Sequence, residues 1–357
     1  MFNVTELVVA FLISATVAFV STPLIKKLAF KINAVDIPKG RKKHDGVKAR
    51  LGGLAIVLGV AAGLLYLQPE YPHMREIIIG GIIIVITGVI DDIVGLKAYQ
   101  KLIGQVGAAL IVVSSGLVID KITMPFIGTV QLEGMGLIIT ILWVIGVTNA
   151  INLIDGLDGL AAGVSAIGLT SILIIAITDY RLIVVYLGMV LVGSCLGFLY
   201  HNFHPAKIFM GDTGALFLGY AISVISMLGL FKNVALFSFI IPIIIIAVPI
   251  FDTLFAIVRR LINKQRIGAP DRKHIHYQLI DMGYSHQTAV LIIYGFSGFF
   301  GVMAIIFNSA TMLTSLIILV LIIIGIQLIA ELTGIVKNGQ QPILGSIRKL
   351  IGRNQKV

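Results

Sequence analysis

Residues 149–160 read "NAINLIDGLDGL" and place two asparagines and two aspartates among isoleucines and leucines. The surrounding chain is strongly apolar: 58% of its 357 residues are hydrophobic, 12% are charged, and the mean hydropathy is +1.03. Soluble proteins carry about 25% charged residues, so the composition indicates a polytopic membrane protein. A carboxylate is costly inside a bilayer, and this polar stretch therefore needs an explanation of its own.

Apolar runs of about 18–25 residues are typical of membrane-spanning helices, and the sequence contains eleven of them. The predicted spans are 4–24, 51–68, 75–93, 101–119, 134–151, 158–178, 182–200, 212–230, 234–258, 289–308 and 311–332. This pattern predicts an all-α fold in which residues 1–336 form one transmembrane domain. Residues 337–357 form a basic tail.

Lysine and arginine predict the orientation of these spans. Of the 27 basic residues, 23 fall on one side of the arrangement. The positive-inside rule makes that side cytoplasmic, with the N-terminus outside and the C-terminus and its tail inside. The predicted cytoplasmic loops are 25–50, 91–101, 149–160, 200–212 and 259–288. Orientation and attraction to anionic membrane lipids explain the net charge of +10. We expect no nucleic-acid partner, since no aromatic-rich soluble domain accompanies the charge.

The aspartates on this side lie in short motifs near predicted helix ends. Asp91 and Asp92 are adjacent in "GVIDDIVGLKAYQK", residues 88–101. Adjacent carboxylates repel unless a cation lies between them, so the pair suits a divalent metal, a general base, or both. A solvated helix end is the alternative. Lys101 follows ten residues after Asp91, where it can contact a phosphate.

The opening motif extends as "NAINLIDGLDGLAAG" to residue 163. Asn152 and Asp155 share one face if the segment is helical. Asp158 follows Gly156, and glycine permits a tight turn there. Asparagine and aspartate oxygens are hard ligands that suit Mg²⁺. Capping a helix end alone would not require so many polar groups.

Two further motifs carry chemistry. "IFMGDTGALFLG", residues 208–219, places Asp212 in a glycine-containing turn before a helix, where backbone N–H groups can bind an anion and the carboxylate can hold a metal. "PDRKHIHYQL", residues 270–279, offers Arg272, His274 and His276 to clamp a sugar or a diphosphate. A zinc site is the alternative for these histidines. His201 and His204 are predicted to be structural loop residues.

Together and in this order, over roughly residues 36–280, these motifs resemble the polyprenyl-phosphate N-acetylhexosamine-1-phosphate transferase superfamily, which is glycosyltransferase family 4-like. "NAINLIDGLDGLAAG" is its most specific element. Within it, the chain is similar to bacterial enzymes that load N-acetylglucosamine-1-phosphate onto undecaprenyl phosphate at the start of wall teichoic acid synthesis. The resemblance implies a phosphotransferase of EC class 2.7.8 in the bacterial cytoplasmic membrane, with a cytoplasmic active-site cleft. Its implied partners are a UDP-sugar, undecaprenyl phosphate and membrane lipids.

The resemblance also implies roles for individual residues. Asp212 and Asn152 would hold Mg²⁺, for which Mn²⁺ is a potential substitute. Asp91 and Asp92 would be catalytic beside the lipid phosphate, with Asp92 as the base. The implied substrate-binding residues are Lys101, Asn149, Asp155, Asp158, Arg272, His274 and His276. The family's loop commonly reads His-x-His-His, and here Tyr277 takes the last position.

Three alternatives stay open at this point. A phospho-N-acetylmuramoyl-pentapeptide transferase belongs to the same superfamily, but that branch usually carries consecutive histidines. A secondary transporter would place charges near the bilayer midplane and show repeated halves, and the sequence shows neither. A membrane anchor would leave the aspartate motifs without a role. A homodimer is compatible with the sequence.

Overall fold

The computed structural model describes residues 3–37, 46–124, 128–229, 240–265 and 273–333. These ranges form a helical bundle with two short antiparallel hairpins, so the all-α prediction needs that small correction. The hairpins pair β1 (Val35–Asp36) with β2 (Lys48–Ala49), and β3 (Lys121–Met124) with β4 (Gly128–Gln131). The helices are α1 (Val4–Lys31), α2 (Gly53–Leu67), α3 (Met74–Val94), α4 (Ala98–Ser114), α5 (Met135–Ile154), α6 (Leu160–Thr178), α7 (Leu182–Asn202), α8 (Gly211–Gly229), α9 (Ile240–Ile245), α10 (Ala247–Ile262), α11 (Ile275–Asp281), α12 (His286–Asn308) and α13 (Met312–Leu332).

Eight helices in the described ranges are long and apolar enough to cross a membrane, namely α1, α3, α5, α6, α7, α8, α12 and α13. The chain is therefore a multi-pass membrane protein. Helices α2 and α4 have 15 and 17 residues. At about 1.5 Å per residue they are shorter than the roughly 30 Å hydrocarbon core of a bilayer. The count of eleven spans and the orientation stay predictions.

The single helix predicted over 234–258 is wrong where the structure describes it. Helices α9 and α10 are separate, with Ile246 between them, and α10 continues to Ile262. Pro249 explains the break because it has no N–H to donate to the carbonyl of Ile245. Residues 234–239 and the predicted tail lie outside the described residues.

Helix α8 lies at the centre of the bundle, and glycines let three helices approach it closely. Gly53 of α2 packs on Gly214, and Gly88 of α3 packs on the backbone of Thr213. A Cβ at Gly219 would lie 2.6 Å from the Cα of Thr148 in α5. Helices in membranes commonly pack through such small residues. These contacts bring the ends of α2, α3 and α5 around the start of α8.

The polar motifs lie on helix ends rather than in long loops. Asp91 and Asp92 belong to the last turn of α3, and Asn152 belongs to the last turn of α5. The connections are only 95–97 and 155–159, much shorter than the predicted loops 91–101 and 149–160. Helix α1 likewise continues past residue 25 to Lys31. We call the end of the bundle that carries these motifs the site end.

Candidate active site

Asp92 binds the first turn of α8. It is 4% exposed, and its carboxylate accepts N–H donors from Asp212 at 2.9 Å and Thr213 at 3.0 Å. The hydroxyl of Thr213 donates a third bond, at 2.7 Å. A carboxylate at a helix N-terminus is favoured by the unpaired N–H groups and by the helix dipole. Asp92 therefore positions Asp212, a role that adjacency to Asp91 in sequence did not reveal.

Gly211, the first residue of α8, is required by the same arrangement. Its φ of +73° is a left-handed conformation that favours glycine. A Cβ at this position would also collide with the carbonyl of Arg50 and lie 2.5 Å from Oδ2 of Asp92. The glycine before Asp212 thus allows Asp92 to reach the helix.

Asp212 is the centre of a network that we call the carboxylate cluster, formed by Arg50, Asp91, Lys101, Asn152 and Asp212. The Nζ of Lys101 lies 3.0 Å from Oδ1 of Asp212 and 2.5 Å from Oδ2 of Asp91. Nδ2 of Asn152 donates to Oδ1 of Asp212 at 2.6 Å, and Arg50 lies 3.4 Å from Oδ2. The sequence did not single out Arg50, which belongs to a lysine-rich and arginine-rich connection.

The donor set of this cluster fits Mg²⁺. The carboxylates of Asp91 and Asp212 lie beside two cationic groups, the Lys101 ammonium and the Arg50 guanidinium, and Asn152 adds an amide group. The oxygen and nitrogen of an amide can exchange places by a half-turn, so Asn152 can present its oxygen as well. Only oxygen ligands would then surround the metal, which is the preference of hard divalent cations.

Asp155 lies at the C-terminal end of α5, beside the carboxylate cluster. Burial and the carboxylates of Asp212 and Asp92 raise the pKa of Asp155 to about 8. Gly159 then turns the chain into α6 with a φ of +78°. Its N–H donates to Oδ1 of Asn202 at 3.1 Å. The segment 155–159 is therefore a tight turn between two helices, as its glycines predicted.

Asp158 lies on the other side of this turn, in a histidine cluster with His204 and His286. Oδ2 of Asp158 accepts Nδ1–H of His204 at 3.0 Å and the backbone N–H of Ala206 at 2.9 Å. The N–H of Asp158 donates to Nε2 of His286 at 2.9 Å. His204 thus contacts a predicted site residue instead of being only a loop residue. No motif in the sequence pointed to His286.

The histidine cluster is unsuited to a metal. The rings of His204 and His286 are stacked, with centroids 4.2 Å apart and planes 19° apart. An imidazole binds a metal in the plane of its ring. Because these two rings are stacked, a single metal ion cannot lie in both ring planes and also be close to a nitrogen of each. Nδ1 of His204 and Oδ2 of Asp158 are also hydrogen-bonded to each other, and Nε2 of His286 accepts the backbone N–H of Asp158. The cluster fixes the turn instead.

His274 and His276 form a further wall near the turn. Nδ1 of His274 donates to Oδ2 of Asp252 at 2.7 Å, and Oδ1 of Asp252 accepts the N–H of Ile275 at 2.9 Å. This pair leaves Nε2 of His274 as the nitrogen that can meet a ligand. His276 is 1% exposed, and burial lowers its pKa to about 4. Its two ring nitrogens have no hydrogen-bond partner among the described residues.

The structure brings most of the predicted site residues into contact with one another, but not all of them. His276 packs on Gly156, so the wall and the turn are in contact. Nδ2 of Asn149 donates to Oε1 of the buried Gln105 at 2.6 Å, and Asn149 makes no hydrogen bond to the carboxylate cluster. Arg272 lies outside the described residues.

The sequence is similar to a known family of transferases. Residues 74–230 match the family described as "Glycosyl transferase family 4". The chain is 49% identical over 354 residues to the probable undecaprenyl-phosphate N-acetylglucosaminyl 1-phosphate transferase of Bacillus subtilis (strain 168), covering 98% of each chain.

Two other relatives carry different names. The decaprenyl-phosphate N-acetylglucosaminephosphotransferase of Mycobacterium leprae (strain TN) is 35% identical over 352 residues, covering 88% of each chain. The phospho-N-acetylmuramoyl-pentapeptide-transferase of Bacillus cytotoxicus is 32% identical over 305 residues, covering 79% of this chain and 90% of the relative.

Proposed function

The chain belongs to glycosyl transferase family 4, the polyprenyl-phosphate N-acetylhexosamine-1-phosphate transferases, and we propose that it transfers N-acetylglucosamine-1-phosphate from UDP-N-acetylglucosamine to undecaprenyl phosphate. The products would be undecaprenyl-diphosphate-N-acetylglucosamine and UMP. The observation that carries this proposal is the convergence of Asp91, Asp212 and Asn152 around Lys101 at one end of an apolar bundle. A water-soluble diphosphate and a lipid phosphate can meet at such an end.

The proposed reaction requires little chemistry from the protein beyond charge and position. An oxygen of the lipid phosphate bonds to the sugar-linked phosphorus, the bond between the two donor phosphates breaks, and UMP leaves with its electron pair. The second pKa of a phosphate monoester is near 6, so the acceptor is mostly dianionic at pH 7. A general base therefore contributes less than orientation does.

Each part of the site has a proposed task. Mg²⁺ held by Asp212, Asn152 and Asp91 would neutralise charge on the diphosphate. Arg50 and Lys101 add positive charge beside it. We assign Asp92 to positioning instead of to base catalysis, because both of its oxygens accept hydrogen bonds from α8.

We assign the nucleotide to the turn 155–159 and the amino sugar to the wall formed by His274 and His276. Oδ2 of Asp158 is held by two protein donors, which leaves Oδ1 for the imide N–H of uracil. Asp252 fixes His274 so that Nε2 can meet the amino sugar. The exposed phenol of Tyr277 replaces the imidazole that is common at this position. We expect the site end to face the cytoplasm, and the product to enter cell-wall polymer synthesis, as in teichoic acid formation.

The test is transfer by the full-length protein in detergent micelles with undecaprenyl phosphate. Radiolabelled UDP-N-acetylglucosamine and UDP-N-acetylmuramoyl-pentapeptide are offered separately, each with Mg²⁺, with Mn²⁺ and with a chelator. We expect lipid labelling from the first donor only, supported by either metal and lost with the chelator. Asp212→Asn should abolish labelling, whereas Asp281→Asn, an exposed acid on the same end, should not.

Other outcomes would change the assignment. Labelling from the pentapeptide donor would indicate the peptidoglycan reaction. Full activity with the chelator would contradict the metal site, and wild-type rates in Asp212→Asn would contradict the residue assignment. No labelling from either donor by folded protein would favour another donor sugar or the transporter.

A further inference from the structure

A cavity of about 240 Å³ lies between α1, α7 and the connection that leads to α8. It is lined by Thr22, Pro23, Lys26, His201, Lys207 and Ile208. None of these residues belongs to the carboxylate cluster or the histidine cluster. The cavity is therefore a feature that the proposed transfer reaction does not use.

Pro23 in α1 explains why His201 faces this region. A proline within a helix has no N–H, so the carbonyl of Phe19, four residues earlier, loses its helical partner. Nε2 of His201 lies 3.0 Å from that carbonyl oxygen and replaces the missing donor. The hydroxyl of Thr22 is likewise directed to the helix backbone, at 2.6 Å from the carbonyl of Ala18. These polar groups are occupied, which leaves the two lysines as the free polar groups.

Lys26 and Lys207 give the cavity its charge. Neither ammonium forms an ion pair with a carboxylate in the ranges that the structure describes, and no acidic residue lines the cavity. Nζ of Lys207 lies 5.3 Å from the centre of the Tyr200 ring. Two cations beside one cavity repel each other, and a bound anion would relieve that repulsion.

The surroundings of the cavity favour a lipid as the source of the anion. Apolar side chains next to the lining residues in sequence are exposed: Leu24 on α1 is 61% exposed, and Tyr200 on α7 is 65% exposed. In a membrane protein such faces contact acyl chains. Lysines at the end of an apolar face attract anionic headgroups. Charge and apolar surface are thus combined as in an anionic lipid.

We propose that this cavity binds the phosphate headgroup of an anionic phospholipid, with Lys26 and Lys207 as its ligands. The lipid is a bound structural component and not the acceptor of the transfer reaction. Lys207 lies five residues before Asp212 in the connection to α8, so the bound headgroup contacts a segment that leads to the carboxylate cluster.

The test uses native mass spectrometry of the purified full-length protein, titrated with phosphatidylglycerol or phosphatidylcholine. Wild type should retain one phosphatidylglycerol in preference to phosphatidylcholine. The double variant Lys26→Gln/Lys207→Gln should bind it about thirtyfold more weakly, the factor expected when two lysine–phosphate attractions are lost. Lys27→Gln, at an exposed neighbour on the same helix that does not line the cavity, should bind like wild type.

Each contrary result has a specific meaning. Equal retention of both lipids by wild type would overturn the proposal without any variant. Displacement by inorganic phosphate at equal concentration would indicate a soluble-anion site, and equal losses in Lys27→Gln would indicate diffuse attraction. A raised KM for undecaprenyl phosphate in the double variant would make this the acceptor site. If the double variant does not fold, the two single variants replace it in the same comparison.

Discussion

Replacing Asp92 with asparagine is expected to destabilise the fold as well as to stop the reaction. The carboxylate of Asp92 accepts three hydrogen bonds from Asp212 and Thr213, and it is nearly fully buried. An asparagine keeps one acceptor oxygen but turns an amide donor toward other donors. The first turn of α8 then loses a partner, and Asp212 is no longer held in place.

The size of the effect follows from these contacts. A hydrogen bond to a charged group contributes roughly 1.5–3 kcal/mol, and an unpaired buried donor costs about 1–3 kcal/mol. Removing a negative charge from a helix N-terminus costs up to about 2 kcal/mol in a buried setting. Since these contributions overlap, we expect a loss of about 3–5 kcal/mol in the free energy of unfolding.

The chain contains a suitable probe for this change. Its only tryptophan, Trp143 in α5, donates from Nε1 to the carbonyl of Ser223 at 3.2 Å and to the hydroxyl of Ser226 at 3.1 Å. Both serines belong to α8, so the fluorescence of Trp143 reports the contact between α5 and α8. Denaturant titrations in detergent, followed by this fluorescence, would measure the loss of stability.

The matched control is Asp91→Asn, the same change one residue earlier. Asp91 accepts the N–H of Leu96 and pairs with Lys101, which keeps Asp212 as a second partner, and it makes no hydrogen bond to the backbone of α8 among the described residues. We expect Asp91→Asn to lose activity but to cost less stability than Asp92→Asn, because Lys101 keeps Asp212 as a partner and the repulsion between the carboxylates of Asp91 and Asp212 is removed. Equal stability of the two variants would refute the helix-binding role of Asp92.

Three further changes test other parts of the site. Asp252→Asn should weaken the bond that orients His274, raising KM for the sugar donor while the KM for the lipid is unchanged in steady-state assays; equal changes in both would contradict a positioning role. Gly156→Ala places a methyl group against the ring of His276, so we expect at least about a tenfold loss of kcat/KM with a chain that still inserts; wild-type kinetics would mean that the wall does not contact the turn. Asp155→Asn should flatten the pH dependence of stability in chelator. The folded pKa of about 8 exceeds the ordinary 3.8, so the unfolded chain loses this proton first and stability falls between about pH 4 and 8. The same slope of melting temperature against pH in wild type and in Asp155→Asn would contradict this prediction.

Hydropathy and local motifs predicted the elements of the fold but not the contacts between them. Apolar runs located the helices, whereas hydropathy does not predict the break before Pro249 because the residues around it are as apolar as those of an unbroken span. Asp212 and Asn152 were predicted to lie at one site, and in the structure Nδ2 of Asn152 donates to Oδ1 of Asp212 at 2.6 Å.

What local patterns could not predict is pairing over long separations. Asp92 and Thr213 are 121 residues apart, and Asp158 and His286 are 128 apart. Nothing in the sequence around His286, at the start of α12, predicts that it contacts Asp158. Arg50 was likewise one of many basic residues in its connection until the fold placed it beside Asp212.

The glycine contacts of α8 have a consequence for how the molecule admits its substrates. Where backbone rests on backbone, as at Gly53, Gly88 and Gly219, no side chain can rotate to make room, and the helices can separate only as whole bodies. The carboxylate cluster therefore lies where the helices pack backbone against backbone. Any widening needed for a nucleotide-sugar is expected around α11 and α12, where His276 packs on a turn instead of on a helix. A spin label on exposed Asp281 should report that movement, and one on α2 should not.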